Sequence, residues 1–163
     1  TAGRKKYAAV EEDIRAAVKR AEALQKRLLE LVEEDAAGFE PLSRAYAIPK
    51  DDPSRGRVLE DATAAACPAP AEMMALCCAS IELLEELLEK GIAGLVSDVG
   101  CGALCCAAAL ESASLNIFVN TRTLQDRSLA AHLDAQADTL LCEYLPRARR
   151  VADEVGHRLR KEG

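Results

Sequence analysis

Residues 14–35, Ile14-Arg15-Ala16-Ala17-Val18-Lys19-Arg20-Ala21-Glu22-Ala23-Leu24-Gln25-Lys26-Arg27-Leu28-Leu29-Glu30-Leu31-Val32-Glu33-Glu34-Asp35, decide the fold. Their apolar members return at three- and four-residue steps with Glu, Lys and Arg between them, the period of a helix with one apolar face. Working outward, Tyr7 and Val10 precede the stripe and Phe39 follows it, so a first long helix is predicted over 4–47. Gly38 and Pro41 are expected to weaken its last third, and Pro49-Lys50-Asp51-Asp52-Pro53-Ser54 carries the turn chemistry that ends it.

The same period predicts helices over 54–90, 98–120 and 126–160. Proline lacks a backbone donor and pushes its predecessor out of helical geometry, so Pro68-Ala69-Pro70 is expected to break the second and Pro146 to kink the last. Gly91 and Gly94 offer stop signals, and Ser97-Asp98 offers side-chain oxygens to cap the third helix. That helix is built largely of small residues, from Gly100 and Gly102 to Ala107, Ala108 and Ala109, which let a neighbouring backbone approach closely. Repeats, low-complexity tracts and linkers are absent, so one all-α bundle over 1–163 takes up the chain.

Composition agrees. Half of the 163 residues are hydrophobic, 29% are charged and only 3% aromatic, which suits a helical core better than sheets. The formal charge of −6, without a basic block, argues against nucleic acid as a partner. No uninterrupted apolar run reaches the roughly 18–20 residues of a bilayer span, so no membrane partner is expected. Seven cysteines, including the adjacent pairs Cys77-Cys78 and Cys105-Cys106, form a poor disulfide framework and point to a reducing, cytoplasmic setting.

Few side chains suggest chemistry. Cys101, Cys105 and Cys106 lie a helical turn apart, yet without a Cys-x-x-Cys or a nearby histidine they read as core filler, and no metal is expected. His132 and His157 read as solvated. Asp35 falls where a carboxylate can point along the face of Leu28, Leu31 and Phe39, and desolvation there would suit acid–base work, but the spacing alone favours an exposed acidic turn. Asp98, Gly102, Cys105, Ala109, Ser112, Asn116 and Asn120 form one narrow face of the third helix, either the lining of a cleft or a tight helix–helix contact. Arg122, just beyond, suits an acidic neighbour or an anionic ligand.

Leu31-Val32-Glu33-Glu34-Asp35-Ala36-Ala37-Gly38-Phe39, then Ile48-Pro49-Lys50-Asp51-Asp52-Pro53, Cys67-Pro68, Gly91, Ser97-Asp98 and Asn116-Ile117-Phe118-Val119-Asn120-Thr121-Arg122 with Asp126 follow one another in a telling order. From about Gly3 to Asp126 the chain resembles the cyclodeaminase domain of the formiminotransferase-cyclodeaminase family, which includes stand-alone methenyltetrahydrofolate cyclohydrolases. The resemblance implies an all-helical enzyme, a tetrahydrofolate derivative as substrate with no further cofactor, and a homodimer. It marks Asp35 as the catalytic residue and Arg4, Lys5, Ser97, Asp98, Asn116, Asn120 and Arg122 as substrate-binding. One carboxylate can move the protons that either ring closure with loss of ammonia or hydrolysis of the methenyl bridge requires. The family's opening helix and its Gly-rich loop have no counterpart here; Thr1 falls just after that helix, and the chain is expected to start inside a longer one. If that loop is truly lost, the alternative is a non-catalytic helical self-association module on the same fold.

Overall fold

A computed structural model describes residues 3, 5–91 and 93–161. Among them are five α-helices and no strand: α1 (Glu11–Tyr46), α2 (Arg55–Ala65), α3 (Pro68–Lys90), α4 (Val96–Thr121) and α5 (Arg127–Lys161). Short 3₁₀ turns, Lys5–Val10 and Ala93–Leu95, lead into α1 and α4.

The predicted break falls between Ala65 and Pro68, where Cys67 is the last residue before α3 and Pro68 takes a first-turn position whose missing N–H costs no hydrogen bond. The other two prolines fall inside helices, within the predicted spans 4–47 and 126–160: α1 runs through Pro41 and α5 through Pro146 without a break. Each proline, and the residue four positions before it, lies on the exposed side of its helix, so water can take up the carbonyl that loses its donor. The Ser97-Asp98 cap is corrected: α4 begins at Val96, so both residues lie within its first turn and Leu95 precedes it without a side-chain cap. Asp98 still complements the positive end of the helix dipole. At α5 the capping residue is Asp126, whose Oδ1 accepts from the backbone of Ser128 and Leu129, each at 3.0 Å.

α3 is the central rod. Its Met74, Cys77, Cys78 and Ile81 meet Ala103, Leu110, Ala113 and Ile117 of α4 and Ala137, Ala148 and Val151 of α5 in one core. α1 lies antiparallel along α3. Lys90 pairs with Asp13 at 2.8 Å, Arg20 with Glu86 at 2.7 Å and Arg27 with Glu72 at 2.6 Å, so ascending α1 positions meet descending α3 positions. The small residues of α4 permit the close approach expected of them: a Cβ at Gly100 would stand 2.8 Å from Val155, and one at Gly102 3.1 Å from Leu84.

The expectation about apolar length needs a qualification. Averaged over 18 residues, 55–90 and 93–121 reach mean hydropathies of 1.4 and 1.7, enough for a span by length and composition. Alanine and cysteine raise such averages without forming unbroken apolar runs, and both stretches supply the bundle core. The α4 stretch is nevertheless largely uncovered, with only 22% of its window buried.

Candidate active site at the break between α2 and α3

Asp35 is half-buried on the inward stripe of α1, one turn from fully buried Leu31 and two from buried Leu42. One turn further on, Gly38 faces the break: a Cβ there would meet Ala65 O at 3.6 Å and Ala66 Cα at 3.9 Å. From the other side Asn120, half-buried near the end of α4, donates through Nδ2 to Ala66 O at 3.4 Å. The break is thus held between the Asp35 turn of α1 and the Asn120 turn of α4.

Cys67 sits in the same place. Its buried thiol donates to Thr63 O at 3.3 Å, and burial pushes its pKa up while a hydrogen bond with Asn120 opposes the shift. Burial likewise pushes the thiols of Cys77 and Cys78 up to about 11 and about 12, so these are protonated core residues at neutral pH. Cys101 and Cys105 are exposed on α4, and among the described residues no group of three His, Cys, Asp or Glu side chains is placed to hold a metal ion.

Beside Asp35, Arg27 binds two carboxylates. It contacts both oxygens of Glu72 at 2.6 and 2.8 Å and both oxygens of Glu34 at 2.5 and 2.9 Å. The guanidinium holds both glutamates below the usual carboxylate range. This clamp fixes the Asp35 segment against the first turns of α3.

The remaining predicted residues divide between the two ends of the bundle. Asn116 and Arg122 are exposed and share the Asn120 end with Lys50, which lies in the exposed loop between α1 and α2. Lys5, Ser97 and Asp98 are exposed at the opposite end. At 1.5 Å per residue, Asp98 and Asn120 stand roughly 33 Å apart along α4, so within one chain the long α4 face does not line a single cleft. Arg4 lies outside the described residues. His132 and His157 are exposed, as expected. His132 edges an apolar groove of about 440 Å³ walled by α3, α4 and α5, among them Ala71, Met74 and Ile117. That groove contains no residue of α1 and none of the predicted site residues, so its size does not make it the chemical centre.

Sequence reasoning passed over Thr121 and Asp134. Thr121, 2% exposed, donates from Oγ1 to Asp134 Oδ1 at 2.6 Å, next to Asn120 and Cys67. No local pattern marks a pair thirteen residues apart on two helices, and the sequence carried no signal for it.

Comparison with known proteins gives this arrangement its setting. Residues 1–139 match the family model described as formiminotransferase-cyclodeaminase. The chain belongs to that family. A methenyltetrahydrofolate cyclohydrolase of Methylorubrum extorquens is 32% identical over 147 residues, covering 88% of this chain and 71% of that protein. The formimidoyltransferase-cyclodeaminase of Sus scrofa is 25% identical over 159 residues, covering 95% of this chain but 29% of that longer protein. Among solved structures, a formiminotetrahydrofolate cyclodeaminase from Thermotoga maritima superposes with a TM-score of 0.77 over 94% of this chain and 76% of its own, at 22% identity, which establishes the shared all-α fold. The family match extends past Asp126, where the sequence landmarks end, to take in Asp134 on α5.

Proposed function

We propose that this protein is a folate one-carbon enzyme that hydrolyses 5,10-methenyltetrahydrofolate to 10-formyltetrahydrofolate. The observation that carries the reading is the 32% identity to a cyclohydrolase across 88% of the chain. Asp35 is assigned as the acid–base group, supported by its half-buried place on the inward stripe beside the break. Its carboxylate takes a proton from the water that adds to the cationic methenyl carbon. As the bond from that carbon to N5 opens, the hydroxyl proton of the adduct is passed to N5, leaving the formyl group on N10. Asn116 and Asn120 are assigned to the substrate's polar edges, and Arg122 and Lys50 to its anionic tail.

Deamination of formimidoyltetrahydrofolate is the second reading, favoured by the likeness to the porcine cyclodeaminase. There the same carboxylate removes the N10 proton and protonates the departing ammonia. We also assign a homodimer. An antiparallel pairing of two α4 helices carries the Ser97-Asp98 end of one copy toward the Asn116–Arg122 end of the other, joining the two groups of predicted residues that lie at opposite ends of one chain.

Absorbance of the methenyl chromophore tests both activities. Its decay above the buffer rate indicates the cyclohydrolase, and its appearance from formimidoyltetrahydrofolate indicates the cyclodeaminase. Asp35→Asn is expected to lower the rate about 10²-fold or more, the scale of general acid–base catalysis. An inactive wild-type protein overturns the enzymatic reading in favour of the self-association module, and a fully active Asp35→Asn removes the role given to Asp35.

A further inference from the structure

The interface of α4 with α5 is apolar along the shared core, where Ala103, Leu110, Ala113 and Ile117 meet Ala137, Ala148 and Val151. Among the described residues its one side-chain to side-chain hydrogen bond is that of Thr121 with Asp134, at 2.6 Å. Thr121 does not need Asp134 for satisfaction, because its hydroxyl also reaches Phe118 O at 3.3 Å, the usual partner for a threonine inside a helix. A half-buried carboxylate is therefore kept where an apolar side chain would satisfy both helices. It stands at the turn that presents Asn120, and its charge adds to the upward shift that burial gives the Cys67 thiol. Arg127 holds the same turn from the other side, donating to Thr121 O at 2.8 Å and Leu124 O at 3.0 Å.

We propose that Asp134 is a positioning residue of this site: by accepting the Thr121 hydroxyl it locks the last turn of α4, and so fixes Asn120 against the break between α2 and α3. This rests on the assignment of Asn120 to substrate binding. What matters in the tie is the acceptor oxygen, which asparagine also supplies, so Asp134→Asn keeps it, whereas Asp134→Ala and Thr121→Val each remove it.

Two measurements on the whole chain test the assignment. The first, independent of catalysis, is the rate at which iodoacetamide alkylates buried Cys67, followed by peptide mass spectrometry. The second is the split between KM and kcat for methenyltetrahydrofolate. Asp134→Ala and Thr121→Val are expected to speed alkylation of Cys67 at least fivefold and to raise KM at least fivefold with a smaller change in kcat, while Asp134→Asn restores both. Lower melting temperatures with Cys67 reactivity and KM unchanged would reduce the pair to ordinary packing and overturn the proposal. So would an Asp134→Asn as impaired as Asp134→Ala. If Asp134→Ala does not fold, the nearly isosteric Thr121→Val carries the same readouts. An inactive wild type defeats the folate reading, and the Cys67 rates still decide whether Asp134 locks the turn.

Discussion

Inside a helix alanine is favoured over glycine by about 1 kcal/mol, so Gly100 near the start of α4 stays glycine for a reason outside its own helix. A methyl group there would stand 2.8, 3.1 and 3.3 Å from three carbons of Val155 on α5. Overpacking of this kind costs about 1–3 kcal/mol and outweighs the propensity gain, so Gly100→Ala is expected to destabilise by about 1 kcal/mol, and adding Val155→Ala to relieve the clash. Gly56, whose Cβ would meet only the end of Gln125 at 3.8 Å, gives the opposite sign: Gly56→Ala is expected to stabilise by about 0.5 kcal/mol. Denaturant melts of the three variants check both. The need for small side chains in α4 was legible because composition alone shows it; which partner fills the space was not, since Val155 stands fifty-five residues away. The same holds at the site. The half-buried place of Asp35 follows the stripe of Leu28 and Leu31, although Phe39 itself turns out exposed, and the spacing alone favours an exposed turn; the bond between Thr121 and Asp134 exists only once α4 and α5 pack.

Four glutamates sit in ion pairs, and three of them, Glu72, Glu85 and Glu86, tie one helix to another. Arg27 holds Glu34 and Glu72, Arg147 holds Glu85, and Lys90 with Arg20 holds Glu86, each below the usual carboxylate range. A carboxylate with a lower pKa in the folded than in the unfolded state adds stability that is complete above the unfolded value, near about 4.3, and is lost as pH falls through the lowered folded values. The melting temperature is therefore expected to stay nearly level from pH 7 to 5 and to fall below about pH 4.3. High salt should shrink this change, because the pairs are partly exposed. Arg147 also contacts Glu82 and Glu143 and lies 4.4 Å over the Tyr144 ring, so Arg147→Met is expected to cost on the order of 1 kcal/mol at pH 7 and to weaken the acid-side fall. The helices these pairs connect were legible to within a few residues, because a 3.6-residue period is a local property. Cap positions were less so: Ser97-Asp98 reads as a cap from its side-chain oxygens alone, but the 3₁₀ turn Ala93–Leu95 leads α4 in at Val96 and leaves both residues inside its first turn.

A compact monomer of 17.5 kDa exposes about 7,900 Å², whereas this chain exposes 10017 Å². The difference arises because α1, with 36 residues, is about 54 Å long and a single layer of neighbours cannot cover such helices. Exposed large apolar side chains lie on α1, among them Leu29 and Val32, and on α4, where Leu104, Leu115 and Val119 are 48%, 67% and 53% exposed. An exposed apolar stripe on a long helix suits an association surface, and the proposed homodimer would bury the α4 stripe against a second copy. Sedimentation at micromolar concentration is expected to show a dimer. Leu115→Glu and Leu104→Glu, by placing charges on that stripe, are expected to shift the protein to monomers while the helical circular dichroism of the bundle persists, since neither side chain belongs to the core. If the dimer also completes the site by bringing Ser97 and Asp98 of one copy toward Asn120 of the other, the monomeric variants lose activity although Asp35 is untouched. A stable wild-type monomer would leave the α4 stripe without its proposed partner, and full activity in a monomeric variant would show that one chain holds the whole site.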